Sequence, residues 1–156
     1  MKEEYYLAAL FGFICLIFGT LIGITVAYTS QGSGYELFPL YSGLSSFLTA
    51  SFVYWFFCTR TGDFGVWKGA GAGALSGLIA HYFSWYLMLI GQNVCFHFFG
   101  GCRSSLNEPP MNVLYGLFGV FPLTFFSLIF LGWVTVPGGA VLGWIFNLIA
   151  GRRISP

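Results

Sequence analysis

The sequence is short of charge. Only 7% of its 156 residues are Asp, Glu, Lys or Arg, where a soluble domain carries about 25%. A fold in water with so little charge could not cover its own core. The net charge is +1, so there is no basic field for nucleic acid or an anionic substrate, and no nucleic-acid partner is expected. No charged residue falls deep inside the long apolar stretches, which argues against a carrier coupled to protons or sodium through a mid-membrane charge. None of the four cysteines forms the C-x-x-C of a thiol oxidoreductase. No nucleophile with a base and an orienting group is visible, so the chain is expected to be non-enzymatic.

What is present is apolar. Hydrophobic residues make up 57% of the chain, and uncharged runs cover 5–28, 37–58, 70–91 and 111–150. About 20 apolar residues cross the hydrocarbon core. The fold class expected is all-α: a polytopic membrane protein, one domain over 1–156, built as a four-helix transmembrane bundle. Its spans are expected at about 5–28, 37–58, 66–91 and 111–150. The first run exceeds the apolar length of a signal peptide, and its start, MKEEYY, is weakly charged, so it reads as the first span.

Basic residues in short loops set orientation. Lys2, Arg60, Lys68, Arg152 and Arg153 fall on one side if the chain crosses four times, and Arg103 falls on the other. Both termini are therefore expected in the cytoplasm, with the 92–108 loop on the non-cytoplasmic side. A bacterial inner or plasma membrane is the expected setting.

The last run is long. As one helix, 111–150 would measure about 60 Å, about twice the hydrocarbon thickness. Pro122 and the triplet Pro137-Gly138-Gly139 are the places to bend. A long helix kinked near 137 is expected, with a re-entrant segment or a tight hairpin and five spans as the alternative. The hairpin would put Arg152 and Arg153 on the wrong side.

Glycine, at 22 residues, is about twice as frequent as usual. Gly69, Gly73 and Gly77 recur every four residues, as do Cys15, Gly19, Gly23 and Ala27, and Gly139, Gly143 and Asn147. Such positions share a helix face. Small residues there let backbones approach in lipid, so this small-xxx-small pattern predicts helix packing. The second run carries hydroxyls instead, at Ser42, Ser45, Ser46 and Thr49. The stretch 67–79 also aligns with 133–145, pairing Trp67/Trp133, Gly73/Gly139, Ala74/Ala140, Gly77/Gly143 and Ile79/Ile145. Transporters are often built from such repeats.

His81 continues the 69–73–77 stripe, so it should face a neighbouring helix. It reads as a neutral histidine bonded across an interface, with a haem ligand, proton relay or gate as the functional alternatives. A bis-histidine haem would want a second histidine at like depth, and His97 lies in the expected loop, so no cofactor is expected. In that loop CFHFFGGC, residues 95–102, brackets aromatics between cysteines. An oxidising compartment and the freedom of Gly100-Gly101 predict a disulfide between Cys95 and Cys102. Metal ligation by Cys95, His97 and Cys102 is disfavoured, because zinc sites use closer cysteines and a fuller ligand set.

Aromatics, at 21%, include 19 Phe. Many must face lipid or other proteins. The expected partners are the lipid bilayer and other integral membrane proteins, or further copies of the chain. The expected role is that of an accessory subunit of a larger membrane complex. A small oligomeric channel or carrier, its hinge at Pro137, Gly138 and Gly139, is the second expectation, and a redox or haem-associated protein the third.

Overall fold

The computed structural model describes residues 2–30, 35–102 and 108–154, with side chains described for 5–30, 35–102 and 108–151. The described residues form four helices and no strand. They are α1 (Lys2–Thr29), α2 (Phe38–Tyr54), α3 (Val66–Phe99) and α4 (Val113–Ile154), with a π-helical turn, Trp55–Thr59, continuing α2.

Each end has a local cause. Pro39 sits in the first turn of α2, where its missing N–H costs nothing. Asp63 accepts a hydrogen bond from the Gly65 N–H at 2.9 Å and shapes the turn into α3. Gly100, at φ 65°, caps α3 in the left-handed region. The Asn112 side chain accepts the Leu114 N–H at 2.9 Å and opens α4.

This architecture corrects one expectation and removes one alternative. The CFHFFGGC stretch is not all loop: Cys95 to Phe99 form the last turns of α3, and only Gly100, Gly101 and Cys102 lie beyond the helix. The 92–108 loop thus shrinks to the residues beyond Phe99, and Arg103 lies outside the described residues. The hairpin at 137–139 is also absent. α4 runs as one α-helix through both Pro122 and Pro137. In hydrocarbon a turn would leave several backbone groups unpaired, whereas a proline inside a helix forfeits about one bond, so a continuous α4 is the arrangement that suits a membrane.

Three segments are long and apolar enough to cross a membrane: Tyr5–Thr29, Val66–Phe99 and Val113–Gly151. The expected second span is weaker. α2 has 17 residues, about 25 Å at about 1.5 Å per residue, short of a hydrocarbon core of about 30 Å.

The helices pair as two antiparallel hairpins, α1 with α2 and α3 with α4, joined where α2 packs on α3. At the end where α1 begins, Phe11, Tyr54 and Phe146 form an aromatic core, with ring centroids 4.7, 5.2 and 5.4 Å apart. Polar side chains share the interior with this apolar core, and large aromatics lie outside. Buried positions include Ser42, Ser45, Ser76, His81, Ser84, Asn93, Thr124, Ser127 and Asn147, while Phe118, Phe125, Phe130 and Trp133 are exposed. That arrangement suits a chain whose solvent is lipid, where polar groups must pair internally.

Candidate functional site

The two hairpins meet around a chamber of about 60 Å³, lined from all four helices. It has room for about four waters at roughly 15 Å³ each. α1 contributes Cys15 and Gly19, α2 Ser42 and Ser46, α3 Ser76, His81 and Ser84, and α4 Ser127 and Thr135.

Glycines set the walls. Gly69 lies on the Gly143 carbonyl and Gly143 on that of Gly69, and Gly73 and Gly139 face each other in the same reciprocal way. A Cβ on Gly77 would sit 2.8 Å from the Thr135 carbonyl oxygen. These contacts run antiparallel along α3 and α4. Gly73 and Gly139, aligned in the internal repeat, are also a touching pair. On the other hairpin, a Cβ on Gly19 would come 2.8 Å from the Ser42 carbonyl oxygen, and one on Gly23 would come 2.6 Å from Pro39 Cα. The Pro137-Gly138-Gly139 triplet is helical and serves as a contact. A Cβ on Gly138 would lie 2.6 Å from the Phe18 ring.

His81 sits near the middle of α3 and is buried. Its Nδ1 is 2.7 Å from Ser127 Oγ and its Nε2 is 2.7 Å from Thr135 Oγ1. Thr135 donates its own hydroxyl proton to the Leu131 carbonyl at 3.1 Å. Thr135 then accepts from Nε2–H, and in a neutral ring Nδ1 accepts from the Ser127 hydroxyl, which is the Nε2–H tautomer. An iron ligand role would cost one of these two bonds. No other histidine shares this depth, since His97 is exposed in the last turn of α3.

Further polar ties hold the elements in place. Ser45 Oγ meets Ser84 Oγ at 2.6 Å and joins the hairpins. The Asn147 side chain accepts from the Tyr54 hydroxyl and donates to the Gly65 carbonyl at 3.0 Å. It also reaches the buried Cys58 thiol at 3.8 Å. Asn93 donates to the Leu89 and Met111 carbonyls, both at 2.9 Å. Tyr82 donates to the Leu117 carbonyl at 2.8 Å. Ser127 and Thr135 were not singled out from the sequence, though a signal existed. Counting down by fours from Gly139 reaches Thr135, Leu131 and Ser127. Asn93 could have been flagged as a lone amide at the edge of an apolar run.

Cys95 and Cys102 stand at disulfide distance, Cα to Cα 5.8 Å, bridging the end of α3 to the turn beyond its cap. Phe98 and Phe99 beside them are 80% exposed. At the opposite end Lys68 Nζ pairs with Asp63 at 3.0 Å, and the Arg60 guanidinium lies 5.5 Å from the Phe56 ring centre. The Gly65 N–H, and then Lys68, hold the Asp63 carboxyl below its ordinary range. Among the described residues no group of three His, Cys, Asp or Glu could hold a metal ion. No family model, curated protein or solved structure matches this chain.

Proposed function

We propose that the chain is a non-enzymatic integral membrane protein that handles a small polar solute in the chamber around His81, as a small channel or carrier. Four crossings place the Arg60–Lys68 turn and both termini in the cytoplasm and the disulfide on the far side, in keeping with the basic loops. In this arrangement the π-helical turn after α2 completes the second crossing.

The observation that carries the reading is convergence. Hydroxyls and one imidazole from α2, α3 and α4 border one space that α1 closes with Cys15 and Gly19, while the outward faces there are apolar. Polar groups at membrane depth are costly and mark solute pathways or binding sites. The repeat adds support, because its touching pair Gly73 and Gly139 borders the chamber, and repeat interfaces are where carriers bind. Flux of small solutes into proteoliposomes tests it. Transport that is lost in Gly139→Leu supports the reading. Equal flux in that variant and the parent, or none in either, removes it.

A second reading is favoured by α4. Its outer face exposes Leu114, Tyr115, Phe118, Phe125, Phe130 and Trp133, enough for an accessory subunit to dock on a larger membrane complex or on a second copy. Purification in mild detergent discriminates. Another membrane protein in fixed ratio supports the subunit role, and a monodisperse lone species counts against it. The haem or redox alternative is tested by an absorption spectrum of the purified chain.

A further inference from the structure

We infer that the groove between α2 and α3 seats one acyl chain of an anionic phospholipid, with Arg60 holding the headgroup phosphate. The site is separate from the chamber and uses other residues.

The groove has a volume of about 540 Å³, with Leu48, Phe52 and Phe56 on one wall and Leu75, Ile79 and Phe83 on the other. Thr49 is the polar residue in the lining. Its hydroxyl bonds back to the Ser45 carbonyl at 2.7 Å, so the wall asks for no polar guest. Leu48, Phe52, Phe56 and Phe83 are between 41% and 62% exposed. In a membrane, what covers such side chains is hydrocarbon.

Length chooses among hydrocarbon guests. Leu75 to Phe83 spans about 12 Å of helix at about 1.5 Å per residue. That is close to one leaflet's half of a core of about 30 Å. A partner's transmembrane helix would run the full thickness and meet the groove over only part of its length. A lipid chain runs one leaflet deep and starts at headgroup level.

The headgroup end carries the selectivity. The π-helical turn Trp55–Thr59 closes with the Arg60 N–H donating to the Trp55 carbonyl at 2.8 Å. This sets Arg60 beside the groove. Its guanidinium lies 5.5 Å from the ring centre of Phe56, a groove residue, and 6.0 Å from that of Trp55. Stacking on aromatic faces holds a guanidinium without using its N–H donors. Of the two basic side chains among the described residues, Lys68 is paired with Asp63 at 3.0 Å, and no described carboxylate pairs with Arg60. A guanidinium fits phosphate oxygens two at a time. A zwitterionic lipid carries its own cation beside that phosphate, and an anionic lipid does not. Four crossings put this end in the cytoplasmic leaflet, whose surface is negative.

The test uses the full chain in nanodiscs of phosphatidylcholine with a small share of phosphatidylglycerol whose acyl chain bears a diazirine. After illumination, labelled peptides are mapped by mass spectrometry. Insertion at 48–57 and 75–83 should exceed that on the outer face of α4. Phosphatidylcholine bearing the same chain should label the groove about fivefold less, and Arg60→Gln should lower the phosphatidylglycerol yield by about the same factor, the effect of one basic residue near anionic lipid. Arg60 is exposed, so this variant leaves the packing of the bundle in place. Even labelling of groove and α4 overturns the inference, as does equal labelling by the two lipids or an unmoved yield in Arg60→Gln. A groove closed to both lipids in discs holding two chains overturns it in favour of a second copy.

Discussion

Glycine positions on one helix face opposite demands. Gly73 meets the Gly139 backbone, so a methyl group there must push α3 and α4 apart. Gly71, two residues away, has open space where its Cβ would be. Gly73→Ala is therefore expected to destabilise the bundle by about 2–3 kcal/mol. Gly71→Ala should be neutral or stabilise it by up to about 1 kcal/mol through helix propensity. Thermal unfolding in one detergent compares the pair, and equal effects would refute the close seam. At His81 the expected ¹⁵N signature is the Nε2–H tautomer. Thr135→Val removes the acceptor of that hydrogen and should shift the ring signals, while Ser46→Ala should not. The seam was legible beforehand because spacing by fours survives in any solvent. The partner of Asn147 was not. Tyr54 is 93 residues away, and nothing local in either residue points to the other.

Among elements, α4 is the single long helix expected over 111–150, and only the alternative hairpin is absent. Rules learned in water make Pro137 a helix terminator, and the hairpin rested on them. In lipid the balance changes. An interrupted ladder leaves polar groups without water to pair with, so continuity prevails. The end of α3 is where the expectation fails. Gly100-Gly101 suggested a loop around CFHFFGGC, but Gly100 is the cap of a helix that already contains Cys95. The cross-link thus fastens a helix terminus rather than closing a free loop. Closing so short a ring contributes about 2.5 kcal/mol in the chain-entropy account. Cys95→Ser or a reductant should lower the unfolding midpoint accordingly, and Gly100→Ala should cost about 1 kcal/mol more through its left-handed backbone. An unmoved midpoint under reduction would mean that the thiols do not pair. At the other end, Asp63 is exposed and its carboxyl is depressed below the ordinary value by its bond to the Gly65 N–H and by Lys68. Whatever its bond to Gly65 and pairing with Lys68 contribute is present above the ordinary carboxyl range and fades as pH falls through the lowered value.

For the molecule as a whole, the four-crossing arrangement makes a checkable claim about sidedness. Single cysteines at Thr61 and His97, placed in a chain lacking its native cysteines, should be labelled by an impermeant reagent from opposite faces of the membrane. Labelling from the same face would overturn the topology and the oxidising setting of Cys95 with it. The two hairpins also suggest a division of labour in assembly. Each has its own glycine seam, and the short 60–65 connection joins them. Separate expression of 1–62 and 63–156 in one cell should yield fragments that co-purify, unless the bond between Ser45 and Ser84 and the Asn147 knot need a continuous chain to form. The Gly69–Gly143 and Gly73–Gly139 seam finally constrains how this chain can diverge. Nothing smaller than glycine exists, so change along that line can only add bulk, and descendants should stay frozen there while their outer aromatic skin drifts freely. Saturation mutagenesis would reveal it as a narrow intolerant stripe down one side of α3, mirrored on α4, with permissive surface on either flank.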